Sequence, residues 1–395
     1  MFYMDIFEKC YQYTQAKQAI EAGIYPYFIP LDENEGTEVE FEGHRLLMCG
    51  SNNYLGLTTH PKVREAATSA IDRFGTSCTG SRFLNGTLAL HEQLENELAE
   101  FVKKDSALVF STGMQVNLGT ISSLIGRGDV VVLDKDDHAS IVDGARLGYG
   151  KIERFRHNDM DHLKRVLESI PEDIGKLIVV DGVFSMGGDL ADLPNIIPLA
   201  RRFGARVMVD DAHGMGVTGG GRGTAAQFGL TDEVDLIMST FSKSFASLGG
   251  FIAGDADIIH YIKHNARSLI FSASIPASNA AAALAALEVI RTEPERVKRV
   301  NAIAKRMREE LGSMGFNVGQ SVTPIVPVII GDNDKTFQTW KSLFENGVFV
   351  NPVISPAVPH GMQLLRTSYM ATQTDDQIDQ VLKTFNKVGE ELGLI

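Results

Sequence analysis

The sequence is poor in cysteine. Cys10, Cys49 and Cys78 are the only three in 395 residues, an odd and widely spaced set without a CxxC pair. That excludes a disulfide framework or a thiolate zinc site and fits reduced thiols in a cytoplasm. No apolar run is long enough to span a bilayer. Met1-Phe-Tyr-Met-Asp5 lacks the basic and apolar regions of a signal peptide. A basic excess is missing too: the net charge of −13 argues against general nucleic-acid binding. An anionic substrate therefore needs a local basic patch. Lys263-His-Asn-Ala-Arg267 is one candidate, although a solvated helix face is its plainer reading. No strand leads into Gly219-Gly-Gly-Arg-Gly223 with GxGxxG spacing, which argues against a dinucleotide fold.

What is present is ordinary for a soluble globular enzyme, 44% apolar and 22% charged. The length suits two domains, or one large domain with a smaller appendage. Residues 5–22 read as one helix with Ile6, Cys10, Tyr13 and Ile20 near one face. A hairpin from Thr37 to Cys49 turns at Glu42-Gly43, and a helix runs from Pro61 to Gly75. The aperiodic, glycine-rich loop 76–86 is either a linker or a binding loop. Leu90, Leu94, Leu98 and Phe101 then form a helical core stripe.

From residue 107 short apolar runs alternate with helical segments. Strands are expected at 107–111, 130–134, 177–181, 206–210, 236–239 and 250–253, with helices at 114–125, 140–148, 159–169, 192–203 and 224–229. This is the pattern of an α/β fold with a mainly parallel sheet covered by helices on both faces. A long helical stretch, 277 to about 312, leads to strands near 325–330, 348–353 and 363–369 and helices at 334–346 and 375–391. The expected divisions are an N-terminal helix and hairpin arm over 1–50, a large domain over 51–290 and a small C-terminal α/β domain over 291–395.

Ligands of such sheets bind at the carboxyl ends of the strands, so the residues just after each strand should converge. They are Thr112-Gly-Met114, Asp136-Asp-His138, Gly182-Val-Phe-Ser185, Asp210-Asp-Ala-His213 and Thr240 to Lys243. Each has two readings. Gly113 either offers N–H groups to a phosphate or serves a tight turn. Asp210 pairs with a ring nitrogen or caps a helix, for which Asp211 is the better placed. His213 donates to a ligand oxygen or to a backbone carbonyl. His138 stacks on an aromatic ring or is a plain buried histidine. Lys243, alone among hydroxyls between two buried strands, is a surface charge or an imine-forming nucleophile. A metal site from Asp210, Asp211, His213 and His138 has no recognised ligand spacing. Taken together, the groups match one chemistry: a phosphorylated pyridine aldehyde held as a Schiff base on lysine, with an acid on its ring nitrogen.

The sequence also resembles a known family over residues 5–392. Asp134-Lys-Asp-Asp-His-Ala-Ser140, Asp181-Gly-Val-Phe-Ser-Met186, Val209-Asp-Asp-Ala-His-Gly-Met-Gly216 and Thr240-Phe-Ser-Lys243 are similar to the α-oxoamine synthases. These are pyridoxal 5'-phosphate (PLP) enzymes of the aminotransferase-like fold type I that condense an amino acid with an acyl thioester. Gly80-Ser-Arg-Phe-Leu-Asn-Gly-Thr87, Ala246-Ser-Leu-Gly-Gly250, Lys263-His-Asn-Ala-Arg-Ser268 and Val350-Asn-Pro-Val-Ile-Ser-Pro-Ala-Val-Pro359 resemble its serine-using branch more than its glycine-using or alanine-using branches. One departure is Gln373, where the family commonly has histidine.

The resemblance implies that Lys243 forms the imine with PLP and then removes the serine α-proton. It implies that Asp210 holds the pyridinium proton, and that His213, with Ser185 near the same edge, bonds the ring's phenolic oxygen. Gly113, Met114 and Thr240 hold the phosphate, completed by Ser272 of a second subunit. His138 stacks on the ring and, with Asn52 and Arg366, binds the substrate carboxylate; Ser81 is a further substrate-binding candidate. Pinning the carboxylate decides by orientation whether the α-proton or the carboxylate is lost first. The implied reaction joins L-serine to palmitoyl-CoA, releasing CoA and CO2 and giving 3-ketodihydrosphingosine, the first step of sphingolipid synthesis. Sister activities are 2-amino-3-ketobutyrate CoA ligase and 8-amino-7-oxononanoate synthase. A cytoplasmic homodimer is implied, and a lipid product is compatible with peripheral contact with the inner membrane.

Overall fold

The computed structural model describes residues 5–395; the signal-peptide reading of Met1-Phe-Tyr-Met-Asp5 falls almost wholly outside them. Its centre is a seven-stranded sheet. From edge to edge the strands are Ser106–Phe110, Gly250–Gly254, Leu236–Thr240, Ala205–Asp210, Lys176–Asp181, Val130–Asp134 and Lys151–Phe155. Only Gly250–Gly254 runs against its neighbours. Its runs of valine, isoleucine and leucine are buried on both faces, as a helix-covered sheet requires.

Alternate residues feed two separate cores. Val131, Leu133, Val179, Met208 and Met238 pack with the helices Gly113–Leu124 and Ala139–Leu147. Val132, Ile178, Val180, Val209 and Ile237 pack with Ala89–Val102, Leu193–Arg202 and Ala277–Thr292.

The register brings three chain segments together at one edge. Gly250 pairs with Phe110 on one side and Thr240 on the other. The segments after Phe110 and Thr240 and the one before Gly250 therefore leave the sheet side by side.

A three-stranded antiparallel sheet, in the order Ile325–Ile329, Leu364–Ser368 and Asn351–Val353, has its own core. The N-terminal hairpin joins this C-terminal part. Glu42 and Gly43 both have positive φ, the two-residue turn expected of such a hairpin. Val348 and Phe349 then pair in parallel with Leu47 and Met48.

Four expectations need correction. Residues 5–22 form two short helices, Glu8–Tyr11 and Gln15–Glu21, with no buried residue, so the apolar positions there have no core to face. The edge strand Lys151–Phe155 was not expected: with charges at Lys151, Glu153 and Arg154 it carries no apolar run. The helix expected from 277 to 312 breaks at Glu293, because the residue before Pro294 is pushed out of the α region. The single strand at 348–353 is two, serving different sheets. Among the described residues no helix is long and apolar enough to cross a membrane.

Candidate active site

At the carboxyl ends of the strands lies a cavity of about 270 Å³. Gly113, Met114, His138, Asp210, His213, Thr240 and Lys243 all line it. One end is a cradle. The helix Gly113–Leu124 starts there, with Thr112 Oγ1 accepting the Gln115 N–H at 3.2 Å. A side chain on Gly113 would meet Thr240 at 2.8 Å, so only glycine leaves the two segments in contact. Thr240 Oγ1 in turn donates to the Gly249 carbonyl at 2.9 Å.

The floor is acidic. Asp210 is buried and accepts Asn117 Nδ2 at 2.7 Å and the Ala212 N–H at 3.0 Å. Asn117 Nδ2 also donates to Ser140 Oγ at 2.8 Å, and Ser140 lies 2.7 Å from His138 Nδ1. Asp181 accepts the His138 N–H at 3.1 Å. Burial and the charges of Asp210 and Asp137 hold the Asp181 carboxyl well above the usual carboxylate range. The capping expected of Asp211 is not seen as such: the helix Thr224–Gln227 has Gly223 at its N-cap, and Asp211 accepts the N–H and Oγ1 of its first residue, Thr224, from across the turn.

Lys243 lies in the cavity wall. Although its residue surface is only partly buried, burial of its amine lowers the pKa, as does the Arg366 charge, while Asp210 and Asp181 oppose the shift. His213 is held well below its ordinary value by burial and by Lys243, Arg366 and His138. It is therefore neutral, so one ring nitrogen donates and the other accepts. Its Nδ1 is 2.7 Å from Tyr54 Oη, which is 3.2 Å from Asn52 Oδ1.

Asn52, Ser81, Ser185, Ser272 and Arg366 do not line the cavity itself. Arg366 adjoins it, buried, and donates from Nε to the Ser185 carbonyl at 2.6 Å. No ion pair joins it to a carboxylate among the described residues. Ser185 thus contributes its backbone to Arg366. Ser272 Oγ accepts Gln115 Nε2 at 2.8 Å, beside the cradle helix. Ser81 Oγ, in the loop 76–86, is buried without a hydrogen-bond partner among the described residues. Gln373 lies away from the cavity. It accepts the Met370 N–H at 3.0 Å and donates to the Met48 carbonyl at 3.1 Å. Sequence reasoning missed Asn117, Ser140 and Tyr54. Asn117 and Tyr54 follow Gly113 and Asn52 closely, but nothing in the chain signals which way they point. Among the described residues no cluster of His, Cys, Asp or Glu could hold a metal.

Residues 46–385 match the model of aminotransferase class I and II. The chain belongs to the aminotransferase class I and II family. Within that family it is 50% identical to serine palmitoyltransferase of Sphingobacterium spiritivorum over 382 residues, 96% of each chain. A variant of serine palmitoyltransferase from S. paucimobilis, solved with a bound PLP–myriocin aldimine, superposes with a TM-score of 0.96 at 36% identity, covering 100% of both chains. 8-Amino-7-oxononanoate synthase of Thermoanaerobacter pseudethanolicus is 38% identical, over 95% of each chain.

Proposed function

We propose that this chain is a PLP-dependent acyltransferase of the serine palmitoyltransferase type. It joins L-serine to a long-chain acyl-CoA, palmitoyl-CoA in the family's reaction, and releases CoA and CO2. The product is 3-ketodihydrosphingosine, at the entry to sphingolipid synthesis. The observation that carries the reading is one cavity holding a lysine of lowered pKa, a buried carboxylate and, adjoining them, a buried arginine without an acidic partner among the described residues. The 50% identity to serine palmitoyltransferase supports serine over the sister substrates.

The residues present fit PLP. The cradle that a side chain on Gly113 would fill suits a phosphate, held by Gly113, Met114 and Thr240 at a helix N-terminus. Asp210, steadied by Asn117 and the Ala212 N–H, suits a protonated ring nitrogen. His213 suits the ring oxygen, and His138 the ring face. When bound, the cofactor supplies an electron sink for the serine α-carbon. Lys243, its amine pulled towards neutrality, serves as nucleophile and then as base for the α-proton. Arg366 offers a fork of donors to the serine carboxylate, with Asn52 and His138 beside it. That grip orients the α-C–H bond for removal before the carboxylate is lost.

We further propose a homodimer in the cytoplasm, with Ser272 of the second subunit completing the phosphate site, and peripheral contact of its surface with the inner membrane. We divide the chain into an arm at 1–50, a large cofactor-binding domain at 51–290 and a small domain at 291–395. Product analysis with serine, glycine and alanine against acyl-CoA donors of graded length tests the reading. Serine with long-chain donors should give the ketone product and CoA; turnover with glycine or alanine but not serine would replace it with a sister activity.

A further inference from the structure

Behind the cavity, the turn Arg156–Asp159 carries a clamp that the proposed reaction does not touch. His157 Nδ1 lies 3.0 Å from Asp134 Oδ1, and its Nε2 lies 2.9 Å from Asp189 Oδ2. Carboxylates only accept, so both ring nitrogens carry protons and the ring is a cation. Burial alone would lower the His157 pKa, but the bonds and charges of Asp134 and Asp189 outweigh it and push it up to about 10. The ring stands edge-on to Phe184, with centroids 4.4 Å apart. Asn158, at φ 48°, doubles the clasp. Its N–H donates to Asp134 Oδ2 at 2.9 Å, and its amide donates to the Leu190 carbonyl at 2.9 Å.

The two carboxylates support different arms of the site. The Asp134 N–H donates to Asp137 at 2.8 Å, Asp137 accepts the Asp181 N–H at 2.9 Å, and Asp181 accepts the His138 N–H at 3.1 Å. That chain ends on the residue facing the substrate. Asp189 closes the turn that presents Ser185: its carbonyl accepts the Phe184 N–H at 3.0 Å. The Ser185 carbonyl then holds Arg366 at 2.6 Å. His157 stands where the support of His138 meets the support of Arg366.

We propose that His157 is a positioning residue, a cationic bridge between Asp134 and Asp189 that fixes His138 and Arg366 relative to each other and so sets how tightly the amino-acid carboxylate is gripped. The inference rests on the carboxylate-binding roles proposed above for those two residues. A glutamine amide has two N–H donors on one nitrogen but no charge, so it leaves the pair of carboxylates without its cation.

The test uses the cofactor-loaded wild type and the variants His157→Gln, His157→Lys and Asp189→Asn. Serine is titrated by the change in cofactor absorbance, KM is measured for serine and for acyl-CoA, and thermal unfolding is followed in parallel. We expect His157→Gln to raise the serine half-saturation point roughly tenfold or more, as sub-ångström misplacement of binding groups does. The KM for acyl-CoA should stay within about twofold on the same reasoning, since the thioester is not held by this grip, and cofactor content should fall less than serine affinity, because Gly113, Met114, Thr240 and Asp210 hold the cofactor independently of His138. His157→Lys, which keeps the cation, should recover most of the loss. Asp189→Asn should show the same serine-specific change in smaller measure, and keeps the claim testable if His157→Gln does not fold. An unchanged serine half-saturation in folded, loaded His157→Gln overturns the proposal, as do equal losses for serine, acyl-CoA and cofactor. A wild type silent to serine but responsive to glycine or alanine sinks the serine reading instead, and the same comparison made with that amino acid then decides the clamp.

Discussion

Gly113→Ala is the sharpest probe of the phosphate cradle. Its added Cβ would lie 2.8 Å from both Cβ and Oγ1 of Thr240 and 3.4 Å from Met238 Cε. Thr240 has nowhere to go. It is 4% exposed, its Oγ1 donates to the Gly249 carbonyl at 2.9 Å and lies 2.9 Å from Ser242 Oγ, and it is paired with Gly250 in the sheet. Ordinary contact begins near 3.4 Å, so the helix start must retreat by about 0.6 Å, the difference between those two distances. Overpacking of this kind costs about 1–3 kcal/mol. The retreating backbone is the one whose N–H groups we propose hold the phosphate, so most of that cost should appear as weakened cofactor binding. At about 1.4 kcal/mol per decade, the dissociation constant should rise roughly 5- to 150-fold. Titration of the apoprotein with PLP, read by imine absorbance, measures it, and thermal unfolding of the same samples separates a local effect from general instability. Binding within twofold of wild type would refute the cradle.

Three further outcomes are expected. Arg366→Lys should leave cofactor content unchanged but raise the serine half-saturation point by about ten- to a hundredfold, because an ammonium cannot present a planar fork to a carboxylate; serine titration by absorbance checks it. Asp211 is fully buried, and that burial pushes its carboxyl from 3.8 up to about 7, against the opposing hydrogen bonds from Thr224. A folded-state pKa above the unfolded one means the stabilisation is complete below about 3.8 and is lost as pH rises through 7. Asp211→Asn should therefore flatten the fall in melting temperature between these pH values relative to wild type. Gln373→His should change stability by about 1 kcal/mol or less and leave serine kinetics alone. A neutral imidazole can likewise accept the Met370 N–H and donate to the Met48 carbonyl, and denaturant melts with serine KM values would show it.

Much of this site was legible in the sequence because the fold converts chain order into position. Once the apolar runs 130–134, 177–181, 206–210 and 236–239 were read as parallel strands, the residues following them had to emerge on one edge. His138, Asp210, His213, Thr240 and Lys243 all do so. The edge strand Lys151–Phe155 escaped because a strand with one half-wet face and charges at Lys151, Glu153 and Arg154 has no continuous apolar run. The missing partners escaped for another reason. Asn117 reaches Asp210 across 93 positions, and Tyr54 reaches His213 across 159. Such contacts depend on how a helix rotates and a loop docks, and no local pattern encodes either. Gln373 marks the same boundary: its departure from the family residue was visible, but its distance from the cavity was not.

The two ends of the site have different structural origins, and this orders their sensitivities. The cradle and acidic floor hang from the large sheet, whose register at Phe110, Gly250 and Thr240 fixes them directly. Arg366 comes instead from the C-terminal sheet, and hydrogen bonds tie that sheet to the chain near Asn52. The Ser368 N–H donates to the Cys49 carbonyl at 2.9 Å, Ser368 Oγ donates to the Ser51 carbonyl at 2.7 Å, and Asn351 Nδ2 donates to the Gly50 carbonyl at 2.7 Å. Residues 50–54 are thus the seam on which Asn52 and Tyr54 sit, between the C-terminal sheet and His213. Cofactor affinity should answer to changes in the large sheet, while amino-acid affinity answers to anything that shifts this seam or the Ser185 turn facing it. On the roles proposed above, the grip on the carboxylate could then be retuned without disturbing the residues proposed to hold the cofactor.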